Sequence, residues 1–262
     1  MVGKTGKEFM RLFADRMANS EIGKTHVFFL GQAGFIFKTA AGETIAIDLY
    51  LSDCVERHDG FKRLMPYLLT ADEVVFDYVI ATHHHLDHFD VDSIPAMLSA
   101  PHTHLFATID CKSAILRLAI PEEQVTYITK GGIYKLGSTI IHIVFCDHGQ
   151  LAPDAVGLVI EIDGKRVYIA GDTALRLDKI SEIANKGPFD LLIAPINGAF
   201  GNLNEREAVT LCETIKPKLI IPCHYWNFAE HHGDPGLFVR ILQERLPNQN
   251  YYIMRMGESI ML

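Results

Sequence analysis

Short apolar runs, separated by glycine, characterise the first part of the chain. Between His26 and Asp48 the runs VFFL, FIF and TIAI are broken by glycines, which is typical of consecutive short strands joined by tight turns. The runs LFAT, QVTYI, TIIHIVF, VGLVIEI and KRVYIAG predict further strands, and the pair Asp163–Gly164 between the last two is a hairpin-turn signal. The pattern predicts a chain that begins its folded body with a β-meander.

Strands alternate with helices in the later part of the chain. After Gly171, the apolar runs LLIAP and KLIIP predict strands. Helical periodicity lies between and after them, near residues 177–184, 204–215 and 234–246. Strands therefore dominate early, and helices and strands alternate later.

The start of the chain carries an amphipathic pattern. Between Lys7 and Met17, apolar residues recur at four-residue intervals, which predicts a helix that packs on the body. No low-complexity linker or linear repeat divides the chain. We expect one domain over residues 1–262, with residues 1–24 as an N-terminal helical extension.

Composition narrows the class of protein. The 262 residues are 48% hydrophobic, enough for a large core, and the net charge of -8 argues against nucleic acid as a partner. No apolar run reaches the roughly 18 residues of a membrane span, and residues 1–24 are too charged for a secretory signal. The five cysteines include no CxxC pair, and an odd number cannot all form disulfides within the chain, so we expect reduced thiols. The sequence predicts a cytoplasmic protein.

Histidine carries the candidate chemistry, because four of the 13 histidines fall in the stretch Thr82–His88. Residues two apart in an extended loop point to the same side, so His83 and His85 can converge on one ion while Asp87 and His88 face a neighbouring position. A lone histidine near a strand end is more often a hydrogen-bonded structural group. Four ionisable side chains within six residues, however, are costly to desolvate without a cation. Imidazole with carboxylate suits Zn(II), Mn(II) or Fe(II).

The run VVFDYVIAT predicts a strand directly before the motif HxHxDH. This motif after a strand resembles the signature of the metallo-β-lactamase superfamily. That family adds an aspartate on an earlier strand, a histidine downstream, an aspartate after a strand and a last histidine after another strand, for which the counterparts here are Asp48, His148, Asp172 and His224. The resemblance covers essentially the whole chain. It implies an α/β (α+β) fold, a four-layer αββα sandwich, and metal-dependent hydrolysis.

Within the superfamily the sequence is similar to the branch that contains the L-ascorbate-6-phosphate lactonases. The similar segments are LGQAGFIFK followed by AIDLY, the GDT segment, and IPCHYWNF leading to DPGLF. The stretch CDHGQLAPDAVG, which contains His148, departs from that branch.

The resemblance implies two groups of metal ligands with a shared carboxylate: His83, His85 and His148 for one ion, Asp87, His88 and His224 for the other, and Asp172 between them. It implies one or two divalent ions, Zn or Mn, with Fe as the alternative. Asp48 would orient the ligand loop by hydrogen bonding. Asp87 and Asp172 would hold the attacking water and accept its proton.

Loops that follow strand ends supply candidate substrate contacts. His84 lies between two ligands, and a structural hydrogen bond and a part in catalysis are both open for it. The remaining candidates follow two later strands: Asn197, Tyr225, His231 and His232.

The predicted function is hydrolysis of a small ester-like substrate by a metal-bound hydroxide. The leading substrate is a lactone of a sugar or sugar-acid derivative, with or without a phosphate. The alternatives are a phosphodiesterase of the same fold and a non-catalytic metal or redox-sensing protein. The expected partner is a small molecule, not nucleic acid, and assembly into a homo-oligomer is left open.

Overall fold

The computed structural model describes residues 6–262, with side chains described from Leu12 onward; residues 1–5 of the predicted N-terminal extension lie outside the described part. The helices are α1 (Gly6–Ala18), α2 (Cys54–Asp59), α3 (Ile94–Met97), α4 (Lys112–Arg117), α5 (Leu177–Ala184), α6 (Glu205–Ile215) and α7 (Pro235–Arg245). The strands are β1 (His26–Gly31), β2 (Gly34–Lys38), β3 (Thr44–Ile47), β4 (Tyr78–Ala81), β5 (His104–Thr108), β6 (Val125–Ile128), β7 (Ile133–Leu136), β8 (Thr139–Val144), β9 (Gly157–Ile162), β10 (Lys165–Ile169), β11 (Leu191–Pro195), β12 (Leu219–Cys223), β13 (Asn250–Tyr251) and β14 (Ser259–Met261).

Two seven-stranded mixed sheets form the centre of the fold. Their strand orders are β14-β1-β2-β3-β4-β5-β6 and β13-β12-β11-β10-β9-β8-β7. One apolar cluster lies between the sheets, a second joins the first sheet to α1, α3 and α4, and a third joins the second sheet to α5, α6 and α7. This arrangement confirms the predicted four-layer αββα sandwich.

The first three strands read as nearly continuous apolar runs because both faces of their sheet are covered. Along β1, Val27 and Phe29 belong to the cluster between the sheets, whereas Phe28 belongs to the cluster under the helices. The same alternation separates Phe35 from Ile36 in β2. Successive side chains of a strand point to opposite faces, so one short run serves two cores.

Helix α1 is attached to this sheet by packing and by a buried amine. Phe13 and Met17 are each 3% exposed and pack in the second cluster. Lys38 is 6% exposed, and its Nζ donates hydrogen bonds of 2.9 Å to the carbonyl oxygens of Met17 and Ala18. The amine thereby satisfies carbonyls that the end of a helix leaves without partners. No helix within residues 6–262 is long and apolar enough to cross a membrane.

The carboxyl ends of the central strands meet at one edge of the sandwich. Strands β3 and β4 run parallel in the first sheet, and β10, β11 and β12 run parallel in the second. Parallel neighbours end at the same edge, so the residues that follow β3, β4, β10 and β12 come together there. Those residues include the polar side chains singled out in the sequence.

Helix α6 begins at a capping box that orients the loop before it. Asn204 Oδ1 accepts a hydrogen bond of 3.0 Å from the Glu207 amide, and Glu207 Oε2 accepts one of 2.9 Å from the Asn204 amide. The reciprocal bonds satisfy two of the donors that a helix start leaves open. The loop between β11 and α6 is thereby fixed at its end.

Loss of this cap tests its contribution to stability. We expect Asn204→Ala to lower the free energy of unfolding by about 1 kcal/mol, because alanine cannot accept from the Glu207 amide. Urea unfolding followed by circular dichroism measures the difference. Asn204→Asp retains the acceptor and is expected to unfold like the wild type; an alanine variant as stable as the aspartate variant would show that the cap contributes nothing.

Candidate metal centre

A buried carboxylate holds the loop that carries the HxHxDH motif. Asp48 follows β3, is 2% exposed, and accepts hydrogen bonds from Thr82 N at 2.8 Å and from Thr82 Oγ1 at 2.7 Å. Its Oδ2 also lies 2.9 Å from His88 Nδ1. Because His88 Nδ1 donates to this carboxylate, Nε2 of the same ring is left free to face the centre.

Three histidines converge on a first position. His83 Nε2 lies 3.0 Å from His85 Nδ1, and His85 Nδ1 lies 3.2 Å from His148 Nε2. His148 Nε2 lies 3.8 Å from Asp172 Oδ2. In a tetrahedral site with bonds of about 2.1 Å, neighbouring ligand atoms are about 3.4 Å apart. The separations observed here are close to that spacing.

Two histidines and two carboxylates converge on a second position beside the first. His88 Nε2 lies 3.4 Å from His224 Nε2, 3.4 Å from Asp172 Oδ1 and 3.6 Å from Asp87 Oδ2. His224 Nε2 lies 3.4 Å from Asp87 Oδ2 and 3.1 Å from Asp172 Oδ2. These separations again match the edges of a tetrahedron around one ion. Asp172 faces both positions.

The carboxylates and histidines at the two positions strongly affect one another's pKa. Burial by itself raises the pKa of Asp87 and Asp172, but the charges of His88 and His224 hold both carboxyls well below their usual range. Burial lowers the pKa of His224, yet the charge of Asp172 outweighs it and raises the value to about 9. Around the first position burial dominates and lowers the pKa of His148 to about 4.

These pKa shifts are those expected of a site that binds a cation. The first position offers neutral imidazoles. At the second position the raised pKa values of His88 and His224 mean that both rings carry protons that offset the two carboxylates, a positive charge that a divalent ion would replace. Neutral imidazole and ionised carboxylate are the forms that bind divalent ions. The donor types and the spacing therefore both fit one or two divalent metals.

Two amides that the sequence analysis did not single out hold the carboxylates in place. Asn202 Nδ2 donates to Asp172 Oδ2 at 2.7 Å, and Gln32 Nε2 donates to Asp87 Oδ2 at 2.8 Å. Gln32 lies in the turn between β1 and β2 with a φ of 53°, in the left-handed region that is uncommon for residues other than glycine. Gln32 lies within the segment LGQAGFIFK, but the segment does not reveal the contact with Asp87, which lies 55 positions away; Asn202 likewise lies 30 positions from Asp172.

A cavity of about 410 Å³ opens beside the metal centre. Phe61, Phe200 and Phe228 line one part of it, and Ser113 and Arg117 line another. The remaining lining includes residues of both metal positions: His85, Asp87, His148, Asp172 and His224. A molecule bound in this cavity would contact the centre, an aromatic wall and the guanidinium of Arg117.

The wall of the cavity depends on a further buried carboxylate. Asp90 is fully buried and accepts hydrogen bonds from Leu51 N at 2.8 Å, Ser52 Oγ at 2.7 Å and Ser93 Oγ at 2.8 Å. These bonds tie the segment before α2 to the segment before α3. Val55 of α2, which lines the cavity, is thereby positioned.

Two of the predicted substrate contacts lie on the cavity. His84 lines it and shares a 2.9 Å hydrogen bond with Asp110 Oδ2, a bond that raises the pKa of His84. His231 also lines it, 2.9 Å from Gln32 Nε2. Burial lowers the pKa of His231 to about 4.

The other three predicted contacts do not line this cavity. Tyr225 packs in the cluster between the second sheet and its helices, and its hydroxyl donates to Met254 O at 3.4 Å. Asn197 is 1% exposed and its Nδ2 donates to Ala199 O at 3.4 Å. His232 is exposed and lines, with Trp226, a neighbouring surface groove that shares Phe228 and His231 with the cavity. Their backbone directions, set by the loops that follow β11 and β12, turn these side chains away from the cavity.

The chain belongs to the β-lactamase superfamily, because the family model described as a beta-lactamase superfamily domain matches residues 26–224. With the fold and the centre described above, it is a metal-dependent hydrolase of the metallo-β-lactamase fold.

Sequence relatives agree with this assignment. A UPF0173 metal-dependent hydrolase of Rubrobacter xylanophilus is 28% identical over 257 residues, which covers 93% of this chain and 99% of the relative. One of Myxococcus xanthus is 29% identical over 225 residues, which covers 81% of this chain and 75% of the relative. Neither carries a lactonase name, so the resemblance to the lactonase branch stays a prediction.

Solved structures share the fold. Igni18, a metallo hydrolase of the archaeon Ignicoccus hospitalis, has a TM-score of 0.70 at 23% identity and covers 91% of this chain and 98% of its own. An isothiocyanate hydrolase from Delia radicum gut bacteria has a TM-score of 0.72 at 17% identity and covers 90% of this chain and 98% of its own. At these identities the likeness shows the fold alone.

The hydrogen bonds of Asp48 lead to a test of the ligand loop. Asparagine at this position can accept from Thr82 N but cannot also accept from His88 Nδ1 with its amide nitrogen. We expect Asp48→Asn to weaken metal affinity by about 10- to 100-fold, measured by competition with a chelator. Asp77→Asn is the control, because Asp77 also accepts two hydrogen bonds, from Thr44 N at 2.7 Å and Thr44 Oγ1 at 3.1 Å, away from the centre. Equal affinities in the two variants would contradict this role of Asp48.

Proposed function

We propose that the chain binds two divalent ions, Zn or Mn, and hydrolyses a compact ester-like substrate in the cavity beside them. Three histidines would hold the first ion, two histidines and a carboxylate would hold the second, and one further carboxylate faces both positions: His83, His85, His148; His88, His224, Asp87; Asp172. The observation that carries the proposal is the position of Asp172, whose oxygens lie 3.4 Å from His88 Nε2 and 3.8 Å from His148 Nε2.

The side chains around the centre have separate tasks in this reaction. Bound divalent metal supplies Lewis acidity and makes water acidic enough to act as a nucleophile near neutral pH. Asp87 and Asp172 are ionised, face the cavity and accept a water proton. Gln32 and Asn202 hold these two carboxylates in fixed orientations through their amide nitrogens. Water adds across the ester: its oxygen bonds to the carbonyl carbon, the ester C–O bond breaks, and a proton passes to the leaving oxygen.

The lining of the cavity supports a small, partly apolar substrate that carries an anionic group. About 410 Å³ admits a compact molecule, and Phe61, Phe200 and Phe228 offer an apolar wall. Arg117 is the one arginine or lysine among the described lining residues. A lactone of a sugar or sugar-acid derivative with a phosphate or carboxylate meets these conditions. A small phosphodiester is the second candidate, because the same guanidinium suits its phosphate.

We assign the reaction to the cytoplasm. Cys54, Cys111, Cys146, Cys212 and Cys223 are all free and buried. Free thiols are typical of a reducing compartment, which supports this location.

The metal content of an Asp172 variant tests the two-ion proposal. Asp172→Asn retains the shape of the side chain but loses the charge that offsets repulsion between two dications. We expect the variant to fold, to lose one of the two ions, and to lose most of its activity on a panel of lactones and small phosphodiesters. Elemental analysis gives the number of ions bound per chain, and hydrolysis rates are measured on the same sample. Unchanged metal content and unchanged turnover would contradict the bridging role, and a wild type that binds no metal would contradict the function itself.

Kinetics of an Arg117 variant test the charge of the substrate. We expect Arg117→Gln to raise KM about tenfold for a phosphorylated lactone, with kcat nearly unchanged, because a charged hydrogen bond to the phosphate is lost. The same lactone without phosphate should show no change. Lys112→Gln is the control, since Lys112 lies on the same helix over the Tyr127 ring and does not line the cavity. Equal effects on both lactones would contradict recognition of the anion by Arg117.

A further inference from the structure

A buried amide connects a carboxylate of the metal centre to a histidine of the cavity wall. Gln32 is 1% exposed, and its Nε2 lies 2.8 Å from Asp87 Oδ2 and 2.9 Å from His231 Nδ1. A carboxylate only accepts hydrogen bonds, so the amide nitrogen and not the amide oxygen must face Asp87. One amide hydrogen is therefore directed to Asp87, and the other remains for a second acceptor.

His231 is the acceptor that fits the second hydrogen. The nitrogens of His224 lie farther from Gln32 Nε2, at 3.2 Å and 3.3 Å, and His224 Nε2 already faces two carboxylates. A donor that points at His231 Nδ1 requires this nitrogen to be unprotonated. The proton of the neutral ring then lies on Nε2, whereas the side-chain hydrogen bond of this ring among the described residues involves Nδ1.

The orientation of the His231 ring is fixed on several sides. It stacks on His224 with centroids 4.8 Å apart and an angle of 19° between the planes. Phe228 and Phe200 lie 5.1 Å and 5.3 Å from its centroid, and Phe61 lies 6.1 Å away. The ring thus lies beside the second metal position, within the aromatic wall of the cavity.

We propose that Gln32 holds His231 as a neutral Nε2–H donor to an oxygen of the bound substrate. The proposal rests on the proposed function, since it requires a substrate in this cavity. His231 is the catalytic residue of the pair, because it touches the substrate, and Gln32 is a positioning residue that acts through it. A fixed donor next to the ions stabilises negative charge as it develops on the substrate oxygen. The surrounding phenylalanines favour substrates in which an apolar group lies next to the bond that is cleaved.

The rival role of His231 is that of a metal ligand, because donor atoms of Asp87, His224 and His231 all lie within 4.8 Å of one another. Metal content separates the roles. We expect His231→Phe, which retains the aromatic packing, to bind as much metal as the wild type and to hydrolyse 4-nitrophenyl acetate about 100-fold more slowly. His231→Gln retains an N–H donor and should recover part of the rate. Loss of an ion in both variants, or a wild-type rate in His231→Phe, would overturn the proposal.

The neighbouring His232 provides a matched control, since it is exposed and does not line the cavity, although the groove that it does line also includes His231. We expect His232→Ala to retain both metal content and rate.

Nitrogen-15 NMR of the ring of His231 tests the positioning role of Gln32 directly. The wild type should show hydrogen on Nε2 only, and Gln32→Met should show a mixture of tautomers. If the His231 ring of the wild type is protonated on Nδ1, Gln32 does not donate a hydrogen bond to it and the proposal is wrong. A metal-loaded wild type that hydrolyses no ester would instead contradict the proposed function, while the tautomer still decides the Gln32–His231 pair.

Discussion

Asp172 places a negative charge where the fold leaves little water. Its side chain is 5% exposed and faces His88, His148 and His224, whose rings come from three different parts of the chain. A buried carboxylate is unfavourable unless positive charge and hydrogen-bond donors surround it. The neighbouring histidines meet this requirement, and a divalent ion bound between them would meet it in the same place.

The backbone around this charge is strained where the strands end. Gln32, Asp48 and His224 all have positive φ, at 53°, 48° and 62°. Such conformations cost on the order of 1 kcal/mol or more for residues other than glycine and persist only where the surroundings fix them. Here His224 N donates to Gln32 O at 2.8 Å, which joins the ends of strands from the two sheets. The packed sheets thereby hold these residues at positive φ, a conformation that would not persist in a flexible loop.

The candidate metal centre and the cavity wall are formed by different parts of the fold. The metal-facing side chains follow strands of the two sheets, whereas Phe61, Phe200 and Phe228 lie on loops between elements. Loops tolerate change better than the strands they connect. The position of the candidate metal centre is therefore tied to the two sheets, whereas the aromatic wall of the cavity depends on the loops between elements.

Much of this molecule follows from local sequence. The apolar runs predicted the main strands, the helical periods matched α5, α6 and α7, and the HxHxDH stretch placed four polar side chains in one loop. Local patterns succeed there because neighbours in sequence are also neighbours in space. The short strands β7, β13 and β14 were not predicted; β14, for example, depends on pairing with β1 at the other end of the chain.

Only the tertiary structure decided which polar residues share the site. Gln32 meets Asp87 across 55 positions and His231 across 199, distances at which no periodic pattern operates. Tyr225, next to His224, faces the opposite side and packs in the core. Adjacency in sequence therefore gave a wrong expectation for Tyr225, where the backbone changes direction, and the pairing of Gln32 with Asp87 and His231 depends on long-range hydrogen bonds that no local pattern specifies.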